Sequence, residues 1–362
     1  MLTILSPHRG AASASSGPAR QLYLMLREAP DRQAAEAWLE QRLADATPLT
    51  PDWPAELNAL SDWLAQRSRA RADAWRQYQA ARAAGAARRH FGTLAQARRF
   101  LTVQAPALLT DGAWLYSVLD HWRQPLCAPL VELYLAYLGR GIPSANQVAQ
   151  VRQALAVQAC SQWQEGEDSH FLQGANRLAL ACAGERYLPE LLGYQLGAAE
   201  QPAAHPAVLQ ELGELGIALL PPPEAQQAVL MVLHGLLAGM GDAAALLRRV
   251  QAGHALARLG SQALPVTPEG SAQDPAIGTA PALAPAPAAE PPRAILRHDF
   301  PPDEHAWEVL ANDLSLLEAQ IAACASKGEA MSMLARHMAP ALHHQPLGLM
   351  ASRVYSQLFA LG

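Results

Sequence analysis

The spacing of the apolar side chains limits what this chain can become more than any other feature of it. Between residues 20 and 43, Leu22, Leu24, Leu26, Ala35, Trp38, Leu39 and Leu43 follow helical spacing, with a break near Pro30. Pro48, Pro51 and Pro54 then make a turn, and Trp53, Leu57, Leu60, Trp63 and Leu64 resume the pattern. Helical runs follow at 114–122, 129–138, 146–163, 171–183, 188–199 and 207–216, separated by Gly, Pro or Asp. A longer run, 224–259, has a weak point at Gly239 and Gly241. Periodicity returns at 306–325, 330–342 and 347–361. Alternation of β-branched and aromatic residues, which strands need, is almost absent. The spacing predicts an all-α fold.

Five segments are expected along the chain. Residues 1–20, rich in Ser, Ala and Gly, read as a flexible tail. Residues 21–104 read as an N-terminal helical arm, and 105–260, the most apolar block, as the helical core. Residues 261–295 change to a Pro- and Ala-rich composition and read as an extended linker. Residues 296–362 are too few to be very stable alone, so these C-terminal helices are expected to dock on the core.

Composition narrows the function classes. Only 16% of the 362 residues are charged and 51% are hydrophobic, where an average soluble domain has roughly 25% charged. Lys327 is the only lysine, so the basic side is arginine, and the net charge is −5. A broadly basic nucleic-acid binder is therefore not expected. No run reaches the roughly 18 uninterrupted apolar residues of a membrane span, and residues 1–20 carry no signal-peptide pattern. Cys127, Cys160, Cys182 and Cys324 form no CxxC pair, so a reducing cytoplasm is the expected location.

Signatures of nucleophilic catalysis and phosphate cradling are missing: there is no GxSxG, no GxGxxG and no Walker loop. Twelve histidines raise the question of metal, which on helices needs ligands at i, i+3 or i+4. The densest group is His298, Asp299, Asp303, Glu304 and His305. A helix start beside Pro301 and Pro302 explains it as well, because acidic residues favour helix N-termini. His337, His343 and His344, beside Pro340 and Pro346, read as a turn, whereas His121 and His234 lie among Leu and Trp and read as core histidines. Residues 67–99 carry nine arginines, with Asp73 the one acid and Trp75, Tyr78 and Phe91 interleaved. That stretch reads as a solvated helix face broken near Gly85, with an anion- or RNA-binding surface as the sharper alternative.

A series of short phrases runs in order across residues 84–260. It includes Arg88-Arg89-His90-Phe91, Ala105-Pro106, Asp111-Gly112-Ala113-Trp114-Leu115-Tyr116, Leu138-Gly139 and Gln173-Gly174-Ala175. Leu188-Pro189-Glu190-Leu191-Leu192-Gly193-Tyr194 with Leu196-Gly197 is the most specific, and Glu214-Leu215-Gly216-Ile217 and Arg248-Arg249-Val250 with Gly253 close it. The series resembles the haem-oxygenase-like iron-containing redox enzymes, the haem-oxygenase-like diiron oxidases. That resemblance implies a haem-oxygenase-like helical bundle with the reaction site between its helices. In active members, carboxylates and histidines on the core helices hold iron, which activates O2 against amino-acid-like or fatty-acid substrates, often in natural-product pathways. Hard oxygen donors and imidazole suit iron, and open positions must remain for O2.

The positions that the resemblance would make iron ligands depart from the pattern. A carboxylate expected before Leu138-Gly139 is replaced by Tyr137, and the histidine expected after Asn146 is Gln147. The acid expected after Leu196-Gly197 falls on Ala199, and Glu200 stands one residue on, a turn of about 100° around a helix. The third ligand helix keeps Glu224 and His234 with Val229 between them. Buried, unpaired carboxylates are costly, so a chain that holds no iron is expected to carry apolar residues there. The resemblance thus implies a pseudoenzyme, a non-catalytic binding or partner protein with no cofactor. The competing reading is an active O2-dependent iron oxygenase or oxidase on an amino-acid-like small molecule. Its rearranged site would use Tyr137, Gln147, Glu200, Glu224 and His234. A third is a helical anion- or RNA-binding module. Expected partners are an active relative or pathway enzyme, a small-molecule ligand, or a second copy in a homodimer, with no membrane and no nucleic acid in the first reading.

Overall fold

A computed structural model describes residues 17–49, 53–54, 56–239, 242–264 and 304–361. Helices dominate, and no strand occurs among the described residues. In chain order the helices are α1 (Pro18–Glu28), α2 (Arg32–Ala46), α3 (Leu57–Ala83), α4 (Leu94–Leu108), α5 (Ala128–Tyr137), α6 (Gln147–Val157) and α7 (Asp168–Ala183). They continue as α8 (Leu188–Ala198), α9 (Pro206–Glu214), α10 (Gln226–Gly239), α11 (Ala243–Gln262), α12 (Glu304–Ala323), α13 (Lys327–His337) and α14 (Pro346–Ala360). Short 3-10 segments join several of them, the longest spanning Ala113–His121. The fold is all-α.

Helices begin where the sequence supplies a cap. Asp31 accepts the Ala34 N–H to open α2, Asn146 accepts that of Ala149 at α6, and Asp242 that of Ala245 at α11. Thr93 and Gln96 form a reciprocal capping box at the start of α4. Proline occupies the first turn of α1, α5, α8, α9 and α14, where its missing N–H costs nothing. The arginine-rich stretch breaks as its glycine predicts, with α3 ending at Ala83 and Gly85 at a φ of 92°.

At the centre, every residue of α7 from Gln173 to Ala181 is buried. Helices α1, α2, α4 and α11 pack around it together with the 113–121 segment. Closest of all pairs are α8 and α11, which meet through small residues. A methyl group at Gly193 would overlap the Val250 carbonyl, and one at Gly253 would overlap the Glu190 carbonyl. Buried Glu190 and Arg249 fasten the same pair through two bonds of 2.6 and 2.7 Å.

Both ends of the chain share this core. Tyr23 of α1 is fully buried and meets Phe171 edge-on at 5.3 Å between ring centres, and the boundary expected at 104/105 falls inside α4. From the C-terminal helices Met331, Leu334, Met338, Ala351 and Tyr355 enter the same apolar cluster. The Tyr134 hydroxyl donates to the Met338 carbonyl at 2.6 Å.

The histidines correct one expectation. His121 is only half-buried, its Nε2 3.8 Å from Glu185, and His234 is exposed. His254 and His343 are the buried ones, each 1% exposed. Neighbouring Leu and Trp in sequence mark a helix, and do not say which side of it a histidine takes.

Candidate functional site

One arginine organises the middle of the bundle. Arg177 lies on α7 with 3% of its surface exposed, and a guanidinium there must find partners for its five N–H donors. It donates to Asp111 Oδ1 at 2.7 Å, to the Ala107 carbonyl, to the Tyr194 hydroxyl at 3.2 Å and to Gln201 Oε1 at 2.9 Å. Its charge also sits over the Trp114 indole, 4.9 Å from the ring centre. Trp114 Nε1 donates to Gln195 Oε1 at 2.8 Å, and Gln195 Nε2 donates to the Tyr137 hydroxyl at 3.4 Å. Gly112, at a φ of 79°, turns the chain between Asp111 and Trp114 where the Tyr137 ring leaves no space for a side chain.

The electrostatics of this cluster are those of a closed ion pair. Burial pushes the Asp111 carboxyl above its ordinary value although Arg177 pulls it down. Burial works against the Arg177 charge, and Asp111 and Tyr194 more than restore it. Burial also drives the Tyr194 phenol up to about 12, and raises that of Tyr137. Neither phenol is an anion near neutral pH. Beside the cluster remains a space of ≈ 40 Å³ bordered by Gln104, Asp111, Tyr137, Gln147, Arg177 and Gln201. That is room for a few waters, whereas organic ligands usually occupy pockets of roughly 300–1,000 Å³.

Two of the positions singled out in the sequence meet here, Tyr137 and Gln147. Gln147 donates to the Pro221 carbonyl at 2.8 Å. Ala198 borders the space, while Ala199 is exposed at the end of α8. Val229 is fully buried in the apolar core. Glu224 is exposed, and exposed His234 donates from Nδ1 to the Leu230 carbonyl at 2.7 Å. Glu200 belongs to a different cluster, described next. The structure does not bring Glu200, Glu224 and His234 together, and among the described residues no three His, Cys, Asp or Glu side chains converge as a metal site. His298, Asp299 and Asp303 lie outside the described residues; His305 falls in the first turn of α12, and its side chain is likewise outside them.

Glu200 turns toward α3. Arg67 holds it with Nε and Nη2 at 2.7 and 2.6 Å and lies over the Trp63 ring at 4.6 Å. On its inner side, buried His254 brings Nε2 to 3.4 Å from Glu200 Oε2. The imidazole is flanked by Trp53 and Trp63 at 5.1 and 6.2 Å. Burial alone would raise the Glu200 carboxyl, but His254 and Arg67 outweigh it and hold the group at about 2.

A third carboxylate shapes the backbone. Fully buried Glu211 accepts the N–H groups of Arg89, His90 and Phe91 at 2.6, 2.7 and 2.9 Å, and the Tyr78 hydroxyl at 2.7 Å. Burial raises its carboxyl, and these four donors bring it below the ordinary value. The loop between α3 and α4 is thereby tied to α9.

Sequence reasoning missed Arg177 as the hub and Asp111, Gln201 and His254 as its counterparts in the two clusters. A signal for the first existed. A single charge within an otherwise uncharged, mostly apolar run, Arg177 between Gly174 and Ala183, requires a buried partner. No protein family, curated protein or solved structure matches the chain.

Proposed function

We propose that this chain is a non-catalytic bundle of the haem-oxygenase-like type, without an iron centre, that works by binding another protein. The observation that supports this most is the chemistry at its middle. Where Tyr137 and Gln147 meet, a buried guanidinium stands in place of the anionic donors that iron needs. Among the described residues Asp111 is the only carboxylate bordering that space, and it is already committed to Arg177 at 2.7 Å. A dication beside that guanidinium would be repelled by it rather than held. The residues present do not fit iron, and the space beside them is too small for O2 together with a substrate. Work by such a protein falls to its surface, and an active relative or a pathway enzyme is the proposed partner.

Anaerobic loading with Fe(II), followed by desalting and metal analysis, tests the reading. The expected result is far below stoichiometric iron, unchanged in Glu224→Ala and His234→Ala. Stoichiometric iron that disappears on changing Glu224 or His234 would overturn it.

A further inference from the structure

Most arginines between residues 67 and 99 are used within the protein. Arg76 pairs with Asp73, Arg82 with Glu214 at 2.7 Å, Arg88 donates to the Phe91 carbonyl at 2.9 Å, and Arg98 to Gln158 Oε1 at 3.1 Å. Arg67 and Arg71 are bonded within the protein too, to Glu200 and to the Ala199 carbonyl, but they stand beside open space. With Arg258 of α11 and His205 they border an open groove of ≈ 670 Å³, kept clear by the small residues Ala70, Ala74 and Gly197.

Each guanidinium of the groove is anchored on one side. Arg71 Nη1 donates to the Ala199 carbonyl at 3.0 Å and Arg258 Nη1 to the Leu49 carbonyl at 2.9 Å. Arg71 Nη2 also reaches Ser68 Oγ at 3.4 Å, a long bond, and both side chains border the groove with further N–H donors beyond these bonds. Among the described residues Glu200 is the only carboxylate bordering the groove, and Arg67 holds it through two bonds. His205 accepts the Ala207 N–H on Nδ1 at 3.2 Å, so its neutral ring carries the proton on Nε2. Burial, with Arg89 and Arg71 nearby, favours that neutral form. Among the described residues that border the groove, three arginines stand against one carboxylate, an excess of two positive charges.

We propose that this groove binds a small phosphate-bearing anion, clamped by Arg71 and Arg258 with Arg67 and His205 as further donors. A phosphate monoester carries about −1.5 to −2 charge at pH 7, which matches the excess. Guanidinium forks fit phosphate oxygens in pairs, and anchored side chains lose little freedom on binding. The groove volume leaves space for an organic body beyond the phosphate. The site is apart from the bundle centre and stands whether or not iron binds there.

The probe is inorganic phosphate, measured by equilibrium dialysis against the full chain in low-salt chloride buffer. Saturable binding at one site per chain is expected. Arg71→Gln and Arg258→Gln are each expected to weaken it about tenfold or more, while Arg99→Gln, an exposed change outside the groove, leaves it alone. Circular dichroism of each variant should match the parent. No saturable binding by the parent protein, or undiminished binding in both groove variants, would refute the proposal. Displacement of phosphate by single-stranded RNA at lower concentration than phosphate itself would refute the small-molecule class.

Discussion

Removing the Glu211 carboxylate would strand three backbone N–H groups and the Tyr78 hydroxyl at a buried site, and each such orphan costs about 1–3 kcal/mol. Glu211→Ala is therefore expected to lower the unfolding free energy by about 3 kcal/mol or more in urea titrations, with Glu211→Gln in between. Acid acts on other residues as well. Burial holds the His343 imidazole at about 3, and burial with Arg152 and Arg27 holds that of His344 at about 4. The unfolded chain takes up these protons near the ordinary 6.5 and the folded one does not. Stability is therefore full above pH 6.5 and declines as the pH falls toward 4. Glu200 adds a second decline, from its ordinary 4.5 down toward about 2, as its ion pairs are lost. Urea midpoints measured from pH 7.5 to 4 should fall throughout the lower half of that range, and less steeply in His343→Gln.

Helix existence was largely legible because caps, prolines and glycines punctuate a strong apolar period. The break at Gly85, the end of α10 at Gly239 and the start of α6 after Asn146 were readable. What periodicity could not give is which helices touch. The tight α8–α11 contact rests on Gly193 and Gly253, which look like ordinary helix weakeners until a partner backbone is placed against them. Gly193→Ala and Gly253→Ala are each expected to destabilise the protein by at least ~2 kcal/mol, since backbone would have to move. Gly213→Ala on α9 meets open space, so it should be neutral or stabilising by up to ~1 kcal/mol. Thermal unfolding of the three variants side by side distinguishes close packing from mere helix propensity.

At the scale of the molecule, the site was half legible. Tyr137 and Gln147 were singled out and do share one space, but the one-residue register at Ala198 and Ala199 and the hub at Arg177 were not readable. Arg177 escaped notice because its partners come from distant parts of the chain, Asp111 before it and Gln201 after it. Only tertiary packing brings them together. The same packing makes the central claim testable, which is that Arg177 closes the bundle as a structural plug. Removing it leaves the Asp111 carboxylate, 19% exposed, without its counter-charge, and breaking a buried pair from one side costs about 3–5 kcal/mol. A residue kept for chemistry tends instead to cost the fold stability, so replacing it is neutral or favourable. The decisive measurement is the unfolding free energy of Arg177→Met against the parent chain. A loss of about 3 kcal/mol or more, partly recovered in the Asp111→Asn, Arg177→Met double variant, is predicted. Unchanged or increased stability of Arg177→Met would contradict the account.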